Sequence, residues 1–158
     1  MIRRCADLDV ATIDAIINEA AQAYRDVIPA YCWHDPYMPR SDLLAEIAAG
    51  VVFWGWEEAD TLVGVMGLQN VRDVTLIRHA YVRPEFQGRG IGSALLGGLE
   101  RQAIGPLLVG TWAAAEWAIR FYARNGFRQV SIPERERLLK TYWNVSMRQQ
   151  ESSVVLER

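Results

Sequence analysis

Between Val82 and Leu96 the chain reads Val-Arg-Pro-Glu-Phe-Gln-Gly-Arg-Gly-Ile-Gly-Ser-Ala-Leu-Leu, and these residues are the ones best suited to hold an anion. Gly88, Gly90 and Gly92 stand at every second position, after an apolar run (Leu76, Ile77, Ala80, Tyr81, Val82) and before a helical one (Ala94, Leu95, Leu96, Leu99). Pro84 closes the strand, since it has no N–H to give to a ladder. Residues without a Cβ let successive N–H groups converge, and the first turn of the next helix adds unpaired donors and partial positive charge. Strand, glycine loop and helix start predict a phosphate cradle made of main chain.

Spacing decides which cradle. A dinucleotide fingerprint needs a third glycine where the chain has Ser93 or Leu95, and a Walker loop needs a lysine, of which the chain has only Lys140. What remains is Gln87-x-x-Gly90-x-Gly92 behind a Val-x-Pro-Glu strand end. This closely resembles the acetyl-CoA pyrophosphate loop of the GNAT superfamily of N-acetyltransferases. Trp117 to Phe127, with Ala118, Tyr122 and Asn125-Gly126, is similar to the family segment in which an alanine and a tyrosine share a helix ending at Gly-Phe. The resemblance covers residues 51–130 well and the two ends by arrangement only. One departure stands out: Ala115 occupies the place where many members carry an asparagine that contacts the cofactor.

The resemblance implies acetyl transfer from acetyl-CoA to a primary amine, with a small-molecule acceptor expected and direct attack in a ternary complex. Backbone N–H groups of Gln87, Gly88, Arg89, Gly90, Ile91, Gly92 and Ser93 would hold the pyrophosphate, with Arg89 adding charge. The main chain of Tyr81 and Val82 would align the pantetheine, and the Val82 N–H would polarise the thioester carbonyl. Tyr122 would be the general acid for the leaving thiolate, a phenol of pKa about 10 facing a thiol of about 8.5. No carboxylate lies on Thr75–Val82, where some members place their base; His79, Glu116 and a water chain stay open. The same fold without transfer, as an acyl-CoA sensor, is the alternative reading.

An acceptor site is expected around the loop after the first helix, where Tyr31, Trp33, His34 and Tyr37 cluster, with Trp54, Trp56 and Trp112 as further candidates. Strand alternation puts His79 on the face of Tyr81. Six tryptophans also fit a homodimer surface.

The bulk of the chain bounds these readings. At 158 residues, 51% hydrophobic and 23% charged, it fits one domain, 1–158, with a substantial core. A net charge of −2 offers no basic excess for a phosphate backbone, so nucleic acid is not expected as a partner. Cys5 and Cys32, without a C-x-x-C, and two histidines give no metal site and fit a reducing compartment. No signal peptide follows Arg3 and Arg4, and no apolar run is long enough to span a membrane, so a cytoplasmic protein is expected.

The elements that must position the site follow in order. A strand over Met1–Cys5 leads to a helix from Asp7 to about Tyr24, its buried face carrying Leu8, Ile13, Ile16, Ile17 and Ala20, with Asp7 or Asp9 as N-cap. A Pro-rich loop and a helix capped by Ser41 follow. Next come strands at 51–56, 61–68 and 75–82, the glycine loop, and a helix burying Ile91, Leu95, Leu99 and Ala103 despite Gly97 and Gly98. A buried parallel strand (107–112), a helix (113–124), a strand (127–130), a helix (134–143) and a last strand at 154–156 complete the chain. The order predicts an α/β fold: one mixed sheet of about six to seven strands flanked by helices, the GNAT-like arrangement, antiparallel early and parallel where helices intervene.

Overall fold

The computed structural model describes residues 1–158. Seven strands form one sheet in the order β1-β2-β3-β4-β5-β7-β6. They are β1 (Ile2–Arg4), β2 (Val52–Glu58), β3 (Thr61–Val71), β4 (Val74–Val82), β5 (Leu107–Trp112), β6 (Arg128–Gln129) and β7 (Ser153–Glu157). The helices are α1 (Val10–Ala20), α2 (Arg40–Ala48), α3 (Ile91–Leu99), α4 (Glu116–Arg124), α5 (Ile132–Tyr142) and α6 (Met147–Glu151). Only β4 and β5 pair in parallel, because the α3 crossover joins them; β7 returns antiparallel between β5 and β6.

The two sheet faces carry different cores. Ile13, Ile16 and Ile17 of α1 and Leu43 of α2 pack on Phe53 and Val65 on one face. Ile91, Leu95, Leu96 and Leu99 of α3 pack on Val63, Met66 and Val109 on the other. Each buried leucine or isoleucine contributes about 1.5–3 kcal/mol, whereas Gly97 and Gly98 cost roughly 1 kcal/mol apiece, so burial holds α3 together. The glycines differ from each other. A Cβ at Gly98 would lie 2.5 Å from Ile2 Cδ1 of the edge strand, and one at Gly97 would meet nothing within 4 Å.

Several local expectations are corrected. Leu8 is 97% exposed, because Asp7–Asp9 forms a 3-10 turn whose pitch carries it off the buried face of α1. Asp9 does not cap α1; its carboxylate accepts from the Ala6 N–H at 2.7 Å and pairs with Arg3. Helix α2 begins at Arg40 behind Pro39, with no cap from Ser41. Ala103 lies past the end of α3, beyond a 3-10 turn. Helix α5 starts earlier than the hydrophobic spacing indicates, at Ile132, with Ser131 Oγ accepting from Glu134 N–H. No helix is long and apolar enough to cross a membrane.

Candidate active site

The site is built on a parting of strands. β4 and β5 pair from Thr75/Leu107 to Ile77/Val109 and no further. Just beyond, β4 carries a bulge: Tyr81 faces Val65 and Arg78 faces Gly67, so His79 and Ala80 together oppose Met66. His79 takes φ +54°, the left-handed region that few residues other than glycine adopt and in which histidine is enriched. The bulge strengthens the local twist and turns the end of β4 away from β5. Tyr81 and Val82 consequently run free of the parallel ladder.

A cavity of about 530 Å³ opens on this parting. Its floor is Ala80, Tyr81 and Val82 of β4 with Val109, Gly110 and Thr111 of β5; Trp117, Phe121 and Tyr122 of α4 and Tyr24 beyond α1 form its walls. At its outer end lie Gln87, Gly88, Gly90, Gly92 and Ser93. Between Gln87, whose N–H bonds Pro84 O, and Ala94, whose N–H bonds Gly90 O, no backbone N–H finds an acceptor in the chain. Gly88 (φ +78°) and Gly90 (φ +79°) make that arrangement possible, and a Cβ at either would meet nothing within 4 Å. Unpaired amides at a helix start, with open space in front of them, are the physical requirement for a bound phosphate.

Of the loop residues, Gln87 clips the loop to the strand end, its Nε2 donating to Val82 O at 3.0 Å. Ser93 Oγ accepts from Asn125 Nδ2 at 3.2 Å, joining α3 to the end of α4. Ile91 anchors the first turn, its side chain buried. Gly92 permits α3 and α4 to meet, since a Cβ there would lie 3.1 Å from Phe121 Cε2. The Arg89 N–H is among the unpaired amides, while its guanidinium lies over the Phe86 ring at 4.9 Å and 4.0 Å from Glu58, outside the cavity wall. Arg124, in the last turn of α4, is the arginine that lines the cavity.

Tyr122 is buried against Phe121 and Phe127 (centroids 5.0 and 5.4 Å) and lines the cavity. Burial holds its phenol above the ordinary value, so it carries its proton throughout the neutral range. Ala115 is fully buried before α4 and does not line the cavity.

A second cavity of about 190 Å³ lies across the parting, sharing Tyr24, His79, Tyr81 and Thr111 with the first. Tyr37, Arg78, Trp112, Trp143, Gln149 and Ser153 are among the other residues that line it. Trp112 Nε1 donates to Tyr37 Oη at 2.9 Å, and Trp33 stacks on Tyr37 from outside. Burial raises the Tyr24 and Tyr81 phenols above their usual range and pushes Tyr37 up to about 12. His34 and Tyr31 both lie outside the two cavities; the Tyr31 hydroxyl is 3.1 Å from Ser152 Oγ and its ring lies under Arg148.

Trp54 and Trp56 are not acceptor residues; alternation along β2 turns them into the α3 core, opposite Phe53. All six tryptophans thus have partners within the chain. Glu116 is 79% exposed beside Arg120, remote from any base role. His79 and Tyr81 do share a face, their rings 6.4 Å apart. Tyr24, Trp117, Arg124 and Glu46 are not singled out as site residues by composition or spacing. Their placement depends on where α1, α2 and α4 pack.

The sequence profile of the acetyltransferase (GNAT) family matches residues 13–127. The chain belongs to that family. Its fold is similar to that of a PaiA N-acetyltransferase from Thermoplasma acidophilum solved with coenzyme A, at TM-score 0.75 and 20% identity, covering 100% of this chain and 97% of that one. A GNAT-family acetyltransferase from Staphylococcus aureus Mu50 gives 0.74 and 17%, again over 100% and 97%. A putative acetyltransferase from Salmonella typhimurium, yncA, with its cofactor acetyl-CoA, gives 0.65 and 23% over 83% and 80%. A search among curated protein sequences finds no match.

Proposed function

We propose that this chain is an N-acetyltransferase that moves acetyl from acetyl-CoA to the primary amine of a small molecule. The observation that carries the reading is the meeting of two cavities at the β4/β5 parting, one ending in unpaired loop amides and the other in an aromatic pocket. Acetyl-CoA would occupy the larger cavity, with amides from Gly88 through Ser93 toward the pyrophosphate and the Tyr81–Val82 main chain toward the pantetheine. Acetyl-CoA supplies the activated acyl group as a thioester. Tyr122 gives its proton toward the sulfur, and a Val82 N–H aimed at the carbonyl stabilises charge developing on its oxygen.

The second cavity supports a compact acceptor. Tyr24, Tyr37, Tyr81, Trp112 and Trp143 present aromatic surface, no carboxylate lines it, and Arg78 on its wall is already paired with Glu46. Such a lining suits an amine carried on an apolar or aromatic body, its cationic head over ring faces, better than a polyanionic or strongly acidic acceptor. Free Cys5 and Cys32 support a reducing, cytoplasmic setting.

Ala115, in place of a cofactor-binding amide, favours a second reading as an acyl-CoA sensor without transfer. Incubation with acetyl-CoA and a panel of small amines, following free thiol, separates the two. Thiol release that depends on the amine supports the transferase. Tight acetyl-CoA binding with no release on any amine supports the sensor.

A further inference from the structure

Helix α2 brings a carboxylate to the place on β4 where the strand itself has none. Glu46 Oε2 is hydrogen-bonded to His79 Nε2, and Glu46 Oε1 to Arg78 Nη2. The His79 side chain is 15% exposed, is flanked by Phe53 and Tyr81, and forms part of the wall between the two cavities. The pairing has a chemical consequence. A carboxylate accepts, so His79 Nε2 must donate, and the neutral ring then holds its basic lone pair on Nδ1. Nothing in the chain donates to Nδ1.

We propose that His79, oriented by Glu46, is the general base that takes the acceptor's proton. The inference rests on the transferase reading above. An acceptor ammonium gives one proton to Nδ1. The neutral nitrogen forms a C–N bond to the acyl carbon and the C–S bond breaks with its electron pair on sulfur. The nitrogen sheds a second proton and the sulfur gains one, leaving amide, free thiol and an imidazolium that returns its proton to solvent. His79 is the catalytic residue; Glu46 is a positioning residue that sets the tautomer and faces the imidazolium charge. Arg78 does not cancel this, because it takes the other carboxylate oxygen and a second acceptor, Gln69 Oε1 at 3.1 Å. His79 sits at the bulge with its left-handed φ, and it lines both cavities.

The titratable and charged groups around the imidazole are Glu46 from α2, Arg78 and Tyr81 from β4, and the Tyr24 and Tyr37 phenols across the cavities. Burial keeps those three phenols protonated at neutral pH.

The test is steady-state kinetics against pH on the full chain, with an amine that the wild type acetylates. Acetyl-CoA affinity is measured separately by calorimetry. His79→Asn, chosen because asparagine tolerates positive φ, lowers kcat by about 10²–10⁴-fold with acetyl-CoA affinity kept. Its rate then climbs with pH up to the range where the amine itself loses its proton. Glu46→Gln gives a smaller fall in kcat and moves the acid limb to lower pH, because the imidazolium loses a negative neighbour. A His79→Asn enzyme with wild-type kcat and an unchanged acid limb overturns the assignment while leaving the transferase reading intact. A wild type that binds acetyl-CoA and acetylates no amine overturns both.

Discussion

Tyr24 and Trp117 stack with ring centroids 5.8 Å apart and planes 26° from parallel. One ring follows α1 and the other begins α4, so the contact bridges the two walls of the larger cavity. Trp117→Ala removes one wall and one aromatic contact of about 0.5–1.5 kcal/mol. Acetyl-CoA affinity is expected to fall by up to roughly tenfold, read by calorimetry, with little change in melting temperature.

Tyr122→Phe keeps the packing against Phe121 and Phe127 and deletes only the proton. If Tyr122 is the acid, kcat falls by about 10²-fold or more while the KM for acetyl-CoA stays within roughly twofold. Because burial raises this phenol above its ordinary 10.0, its ionisation contributes no falling limb below that pH. Steady-state kinetics with natural and thiol-matched poorer leaving groups checks the role, the loss being largest for the poorest leaving group.

The two arginines near the loop separate cleanly. Arg89 is spent on Phe86 and Glu58, so Arg89→Gln is expected to change acetyl-CoA affinity by no more than about twofold. Arg124 lines the cavity, and a charge-assisted hydrogen bond is worth about 1.5–3 kcal/mol. Arg124→Gln weakens binding by roughly tenfold or more, and the loss shrinks in high salt. Titrations at two ionic strengths measure both.

Helix α3 carries a glycine with no neighbour to protect. Gly97→Ala gains about 1 kcal/mol of helix propensity and meets nothing within 4 Å, so the melting temperature rises by roughly 2–4 °C. Gly98→Ala gains less, since Ile2 Cδ1 must move aside. Paired melting curves show the ordering.

At the edge strand, Asp9 is held down to about 2 from its ordinary 3.8, first by hydrogen bonds from Arg3. Its folded pKa is the lower one, so its contribution to stability is complete above 3.8 and is lost as pH falls toward about 2. Asp9→Asn removes that dependence. Thermal midpoints across the acid range should fall less steeply in the variant than in the wild type.

Local patterning carried much of this molecule. Gly88, Gly90 and Gly92 after Pro84 marked the loop whose amides stand unpaired, and apolar spacing located α1 to α5 within a few residues, whereas the short, polar α6 carries no such spacing. Leu8 misled because a 3-10 turn shifts the phase of a helical pattern. Trp54 and Trp56 misled because composition does not say which face of β2 is which. Glu46 and Trp117 stayed hidden for another reason: each reaches the site through packing of distant helices, which no local spacing records. Arg89 stands in the loop, but its guanidinium lies over the ring of Phe86 three residues back and near Glu58, an orientation that residue type alone does not record.

A pyrophosphate held by the loop amides is tested most directly by calorimetric titration of acetyl-CoA into wild type, Gly90→Glu and Gly90→Asn. Glutamate places bulk and negative charge before the unpaired N–H groups, whereas asparagine tolerates the φ of +79° and adds no charge. The expected result is binding lost by more than about 100-fold (over 2.7 kcal/mol) in Gly90→Glu, a smaller loss in Gly90→Asn, and circular dichroism unchanged in both. Wild-type affinity in a folded Gly90→Glu protein would contradict it.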